Sequence, residues 1–185
     1  MRLHLLAAAA CLGLAACAGP GAFSDGSVAR GPGIYTIRAG DEARVQFAML
    51  DAVNAVRTAR GAAALRLDPA LTAAAATHSR DMANQNRPWH FGSDGSSPLD
   101  RLARSGYPGS LGGEALSESF ETEIATLAAW MEDPATRDVI LDPAARDMGF
   151  AWYQEPTGKI WWTLVTGRPE APLVLATPSA PSAAF

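Results

Sequence analysis

The hydrophobic period of this chain changes once, late in the sequence, and that change limits the folds open to it. Val45, Met49, Val53 and Val56 recur at helical spacing and predict a helix over residues 41–60, with Asp41 at its start and Gly61 at its end. Asp68-Pro69 places a cap residue before proline, and the helix it opens carries Leu71, Ala75, His78 and Met82 on one face. A loop from Asn84 to Ser96 follows, then a short helix from Ser97-Pro98 to Gly106. Residues 122–132 read as another helix with Ile124, Leu127, Ala128 and Met131 inward. Asp133-Pro134 opens a further short helix, and Asp142-Pro143 marks a turn. Beyond it, Met148 to Gln154 and Ile160 to Thr166 are rich in aromatic and β-branched residues. Pro156-Thr157-Gly158 lies between them and predicts a hairpin. Helices first and an antiparallel pair last imply an α+β domain.

The two ends read differently. Arg2 precedes an apolar run from Leu5 to Ala16, too short to span a bilayer comfortably and shaped like a secretory signal. Leu14-Ala15-Ala16-Cys17 resembles a bacterial lipobox, which implies removal of residues 1–16 and acylation of Cys17. Acyl chains would anchor the protein to a membrane without a transmembrane helix. Ala18 is not the aspartate that retains lipoproteins in the inner membrane. The expected address is therefore the outer membrane of a Gram-negative envelope, facing the periplasm. Residues 17–33 are rich in Gly, Ser and Pro and read as a flexible tether; residues 169–185 read as a Pro/Ala-rich disordered tail. That leaves residues 34–168 for one domain, enough to bury roughly two-thirds of its unfolded surface. A net charge of −4 argues against nucleic acid as a partner. Cys11 leaves with the signal and Cys17 carries lipid, so no disulfide is expected.

Taken alone, the polar residues leave their roles open. His78 sits on an apolar helix face and reads as a buried, hydrogen-bonded histidine. His90 lies in a polar loop between aromatics and is either a packing residue or a ligand contact. Glu114 follows Gly112-Gly113 and is either a loop carboxylate or a site residue. Asp133 before Pro134 is a good helix cap without any site. Asn54 and Arg57 read as structural hydrogen-bonding residues, and Trp161-Trp162 as sheet packing with one ring on each side. Ser93, Ser96 and Ser97 lie close to His90 in sequence, which alone makes no nucleophile–base pair.

Six segments in order carry a resemblance. They are VNAVRTARG, LRLDPALTAAAATHSRDMA, WHFGSDG, GYPGSLGGEAL, AAWMEDPATRDVILDP and MGFAWY…GKIWWTLVTG, together spanning residues 41–167. The pattern resembles the CAP superfamily of cysteine-rich secretory, antigen 5 and pathogenesis-related proteins, in its bacterial, cysteine-free form. The resemblance implies an α-β-α sandwich with a small antiparallel sheet flanked by helices. It also implies a cleft with two histidines and two acidic residues, which in some members binds a divalent metal. His90 matches the first histidine, and Glu114 in GGEAL matches the glutamate of a GEN motif whose asparagine is here Ala115. Asp133 falls at the second acidic position, and Thr136 occupies the second histidine position.

That last departure weakens a metal site. One imidazole and at most two carboxylates remain, and a threonine hydroxyl is a poor zinc ligand at neutral pH. No cofactor is expected; a weakly held, oxygen-loving divalent ion near His90 is the most this set would support. The implied function is a non-enzymatic binding module for a small hydrophobic ligand, an envelope component or a partner protein, through a cleft around His90 and Glu114. The alternatives are an envelope hydrolase using His90 as base and Glu114 as acid, or a purely structural envelope module.

Overall fold

The computed structural model describes residues 34–170. The expected signal segment 1–16, Cys17, the tether 17–33 and the tail from 171 onward lie outside the described residues.

Most helix starts fall where the sequence places them because side-chain caps set them. The first helix, α1 (Glu42–Ala59), is the exception: Asp41 precedes it without capping and instead pairs with Arg44 at 3.4 Å. Asp68 accepts from the Leu71 amide at 2.9 Å to open α2 (Pro69–Gln85), and Ser97 and Asp100 form a reciprocal capping box at α3 (Pro98–Ser105). Thr122 caps α4 (Glu123–Glu132), and Asp133 caps α5 (Pro134–Leu141) through the Ala135 amide.

Two inward faces differ from expectation. In α1 the last buried position is Arg57 rather than Val56. In α4 the buried residues are Glu123, Thr126, Leu127 and Trp130, while Ala128 is exposed, Met131 half-buried and Ile124 46% exposed. Polar anchors explain that rotation. The Tyr35 hydroxyl donates to Glu123 Oε2 at 2.6 Å, and Trp130 Nε1 donates to the Leu116 carbonyl at 2.9 Å, so both residues turn inward.

Four strands form one mixed sheet. They are β1 (Arg66–Leu67), β2 (Gly109–Ser119), β3 (Asp147–Gln154) and β4 (Ile160–Pro169), in the order β1-β3-β4-β2. The β3–β4 hairpin is the predicted one, although β4 runs on to Pro169. Neither β1, parallel to β3, nor β2, antiparallel to β4, was expected. Side chains alternate across this sheet. Phe150, Trp162 and Leu164 join Val45, Met49, Trp130 and Ile140 in a core under α1, α4 and α5. Ala151 and Val165 pack with Leu71, Ala75, Leu102 and Tyr107 under α2 and α3. The domain is thus an α-β-α sandwich of the α+β class. Gly149 permits the tight seat of α2, since a Cβ there would overlap the Leu71 carbonyl. Trp161 and Trp162 are both fully buried, on opposite faces: Trp162 stacks on Phe150 at 5.5 Å, and Trp161 donates to Glu155 Oε1 at 2.7 Å.

Asn54 and Arg57 both act as structural clamps. Asn54 donates to the Leu65 carbonyl (2.9 Å) and accepts from its amide (2.7 Å). Arg57 is fully buried, and its guanidinium donates to the carbonyls of Ala63 (2.7 Å), Ile140 (2.6 Å), Asp142 (3.1 Å) and Ala145 (3.3 Å). A lysine cannot reproduce that planar spread of donors. Arg57→Lys is therefore expected to cost about 3 kcal/mol, read as a lower urea midpoint at unchanged slope; a midpoint equal to the parent's would contradict this assignment.

Candidate functional site

Glu114 lies on the α2–α3 side of the sheet. Its neighbour Gly113 faces Val139 of α5 on the other side, and Glu114 pairs across the strands with Val165. Its side chain is only 3% exposed and would pay heavily for ionisation without partners. Arg101 on α3 supplies them: Nη2 lies 2.9 Å from Oε1 and 2.8 Å from Oε2. His90 Nδ1 stands 2.9 Å from Oε1. Burial pushes the Glu114 carboxyl upward, but the His90 hydrogen bond, the polar ring of His78 and the Arg101 guanidinium outweigh it and hold the group below its usual range.

His78 completes the cluster from α2. It is fully buried, with Nε2 2.9 Å from the Trp89 carbonyl and 3.7 Å from Glu114 Oε1. A carbonyl only accepts, so Nε2 carries the proton of the neutral ring. Burial favours that neutral form and lowers the pKa of His78 against the opposing pull of Glu114.

The loop that carries His90 is fixed to α2 by Asp81. Asp81 accepts from the Ser93 amide (2.8 Å), the Ser93 hydroxyl (2.5 Å) and the Gln85 side chain (2.8 Å), and Gln85 accepts from Trp89 Nε1 at 2.7 Å. Arg101 Nη2 also donates to the His90 carbonyl at 3.0 Å. The outcome is a buried carboxylate beneath a histidine whose side chain is 55% exposed, between Trp89 and the 48% exposed Phe91. The Trp89 and Phe91 rings are 5.5 Å apart, and Arg87 stacks on Trp89 at 3.9 Å.

Of the four expected cleft residues the structure brings together His90 and Glu114. Asp133 and Thr136 sit elsewhere, at the junction of α4 and α5, in the layer on the opposite face of the sheet from Glu114. There Asp133 caps α5, and the Thr136 hydroxyl donates to the Trp130 carbonyl at 2.6 Å. The donor set does not fit the family's divalent metal. Both Glu114 oxygens hold Arg101, whose charge would repel a cation, and the His78 nitrogen nearest Glu114 carries a proton. Among the described residues no group of three or more His, Cys, Asp or Glu side chains converges as metal ligands. Arg101 and Asp81 were missed by sequence reasoning. The one available signal for Arg101 is its place beside the inward Leu102, on a short helix started by a strong cap.

Comparison with solved structures places this architecture among SCP-type folds. An extracellular protein containing an SCP domain from Bacillus anthracis superposes with a TM-score of 0.62 at 23% identity, over 69% of this chain and 41% of that one. An outer surface protein of Borrelia burgdorferi gives 0.63 at 14% identity, over 74% and 98%. A cysteine-rich secretory protein from Staphylococcus aureus gives 0.53 at 16%, over 68% and 38%. The chain thus spans less than half the length of the Bacillus and Staphylococcus proteins. No curated protein matches. Residues 50–166 match the model of the CAP, or cysteine-rich secretory protein, family, and the chain belongs to that family.

The buried pair of titratable groups sets a pH dependence. His78 has its folded pKa below the ordinary 6.5, so below pH 6.5 the unfolded chain takes up a proton that the folded one refuses. Stability therefore falls as pH drops from 6.5. Glu114, also lowered, adds a second loss as pH falls through 4.5. Urea midpoints should decline in both windows, and a His78→Gln variant should lose the decline between 6.5 and 4.5. A parent midpoint that stays flat across that upper window would refute the assignment.

Proposed function

We propose that this CAP-family protein is a non-enzymatic binding module, lipid-anchored through Cys17 on the periplasmic side of the outer membrane. Its recognition surface is the exposed face of His90 with Trp89 and Phe91. One observation carries this reading: Glu114 spends both oxygens on Arg101 and His90, leaving no free carboxylate for acid–base work. What meets solvent is an imidazole edge flanked by apolar rings, suited to a small hydrophobic ligand, an envelope component or a partner protein with one hydrogen-bonding group. The lipobox at Leu14–Cys17 supports the anchor. The extracellular and outer-surface descriptions of the Bacillus and Borrelia proteins support an extracytoplasmic setting.

A hydrolase is the second reading, favoured by the carboxylate–imidazole pair, which orients His90 as a base is oriented in acyl-transfer enzymes. Against it, no serine, threonine or cysteine is hydrogen-bonded to the His90 ring among the described residues.

Two measurements separate these statements. Metabolic labelling with a radioactive fatty acid should mark the parent and not Cys17→Ala; label retained in that variant would overturn the lipid anchor at Cys17. Native mass spectrometry of the protein extracted from its own membrane should show added mass beyond the acyl chains. That mass should be absent in His90→Ala. Added mass that persists in this variant would place the bound molecule elsewhere.

A further inference from the structure

The apolar side chains left in water gather at one end of the domain. Ile34 lies against Gly158 at the tip of the β3–β4 hairpin, where a Cβ would overlap it. The following residues are pinned there: the Gln154 side chain donates to the Tyr35 carbonyl at 2.8 Å and accepts from the Ile37 amide at 2.9 Å. Ser119, the last residue of β2, pairs with Ile160 just beyond the same tip, so Phe120 and the start of α4 follow at this end. The Tyr35 hydroxyl joins the two segments through Glu123, which Arg44 of α1 also approaches at 3.8 Å. Six large apolar side chains are exposed among the described residues, and three of them sit here: Ile34 at 62%, Phe120 at 51% and Ile124 at 46%. Phe47 is a fourth, one turn along α1 from Arg44.

The exposure follows from how this end is built. Turning Glu123 inward to meet Tyr35 turns Ile124, in the same first turn of α4, outward. Large apolar side chains exposed together, instead of singly, mark a contact surface. Ionic attraction is not what this surface offers. Arg44 is shared between Asp41 and Glu123, and Glu121, between Phe120 and Thr122, adds an exposed carboxylate. What covers the surface must therefore accept apolar groups without calling for a cluster of cations.

The point at which the chain enters the domain names that occupant. Ile34 is the first described residue, and only residues 18–33 separate it from Cys17. The chain from Cys17 to Ile34 reaches at most about 60 Å when fully extended. An acylated Cys17 thus delivers this end of the domain to the lipid surface first. We propose that this end is a membrane-docking face, which inserts Ile34, Phe120 and Ile124 into the interfacial layer of the bilayer that holds Cys17; the proposal rests on the lipid-anchor reading of Cys17. Three side chains alone hold a free protein weakly, but the anchor makes the contact intramolecular and so populates it. Docking here leaves the exposed face of His90, above Glu114 in the middle of β2 and on the opposite layer from α4, clear of the lipid.

Lipid-embedded quenchers test this on the full protein, extracted from its own membrane and reconstituted into vesicles of phosphatidylcholine and phosphatidylethanolamine in equal parts, some of it carrying a nitroxide on the acyl chain. An environment-sensitive dye is attached at Glu121→Cys, between the apolar residues, or at Ala103→Cys, exposed on α3 near the opposite end of β2. Quenching at position 121 is expected to exceed that at position 103 at least about threefold. Ile34→Ser, Phe120→Ser and Ile124→Ser together should lower it to the level at position 103. Flotation with the vesicles and the fatty-acid label at Cys17 should be unchanged in that variant. Floating protein with equal quenching at both positions, or quenching at position 121 that survives the triple variant, would overturn the docking and leave the anchor standing. Protein that carries no fatty acid and does not float would overturn both. Shielding of the dye at position 121 that rises with protein density, without nitroxide quenching, would give the surface to a second copy of the chain and overturn the proposal.

Discussion

A buried guanidinium that makes no ion pair among the described residues organises one whole layer of this domain. Arg57 is solvated by main-chain carbonyls instead of a carboxylate, and those carbonyls come from two stretches far apart in sequence, Ala63 and residues 140–145. Two belong to the end of α5, where helix geometry leaves carbonyls without internal donors and the dipole favours a positive charge. One belongs to the loop after α1 and one to the approach to β3. The arginine therefore does for the interior what water does for helix ends at the surface. It fixes α1 against α5 and against the strand that starts the central hairpin, and the aromatic core of Phe150 and Trp162 closes beneath it.

The other face of the sheet solves the opposite problem. Glu114 is a buried anion, and its solvation comes from side chains on α2, α3 and the intervening loop. A buried ion pair is weak evidence for stability in itself, because desolvation consumes much of the attraction. Its consequence here is positional. Arg101 reaches Glu114 and two loop carbonyls at once, so the loop bearing His90 cannot drift without breaking charge-assisted hydrogen bonds. Asp81 repeats the device from α2. The rigid scaffold and the exposed imidazole thus depend on one connected polar network.

Legibility in the sequence followed the range of the interactions. Helix starts at Asp68, Ser97, Thr122 and Asp133 were readable because a cap acts within three residues. The β3–β4 hairpin was readable from composition and a turn. β2 was not: its Gly and Ser content is unlike a strand, and the irregularity between Leu111 and Gly113 puts Leu111 and Glu114 on the same face although simple alternation would separate them. The inward face of α4 was misjudged by position because Glu123 and Trp130 are held by hydrogen bonds from distant elements. His90 and Glu114 were found through family resemblance, not through their chemistry, and Arg101 had no short-range signature at all. Asp133 matched the family pattern on spacing, yet its local role as a cap is the one the structure uses.

The longest strand of the sheet, β2, is also an edge strand. An open edge of that length is a template on which a second chain could add by main-chain pairing. Three features blunt it. Trp130 occupies the Leu116 carbonyl with its indole N–H, the irregularity at Gly112 interrupts the even run of main-chain groups, and Glu118 places an exposed charge near the far end. A tryptophan whose obvious task is to anchor α4 therefore also guards the sheet against edge-to-edge aggregation, and losing its indole would expose the chain to association with its own copies.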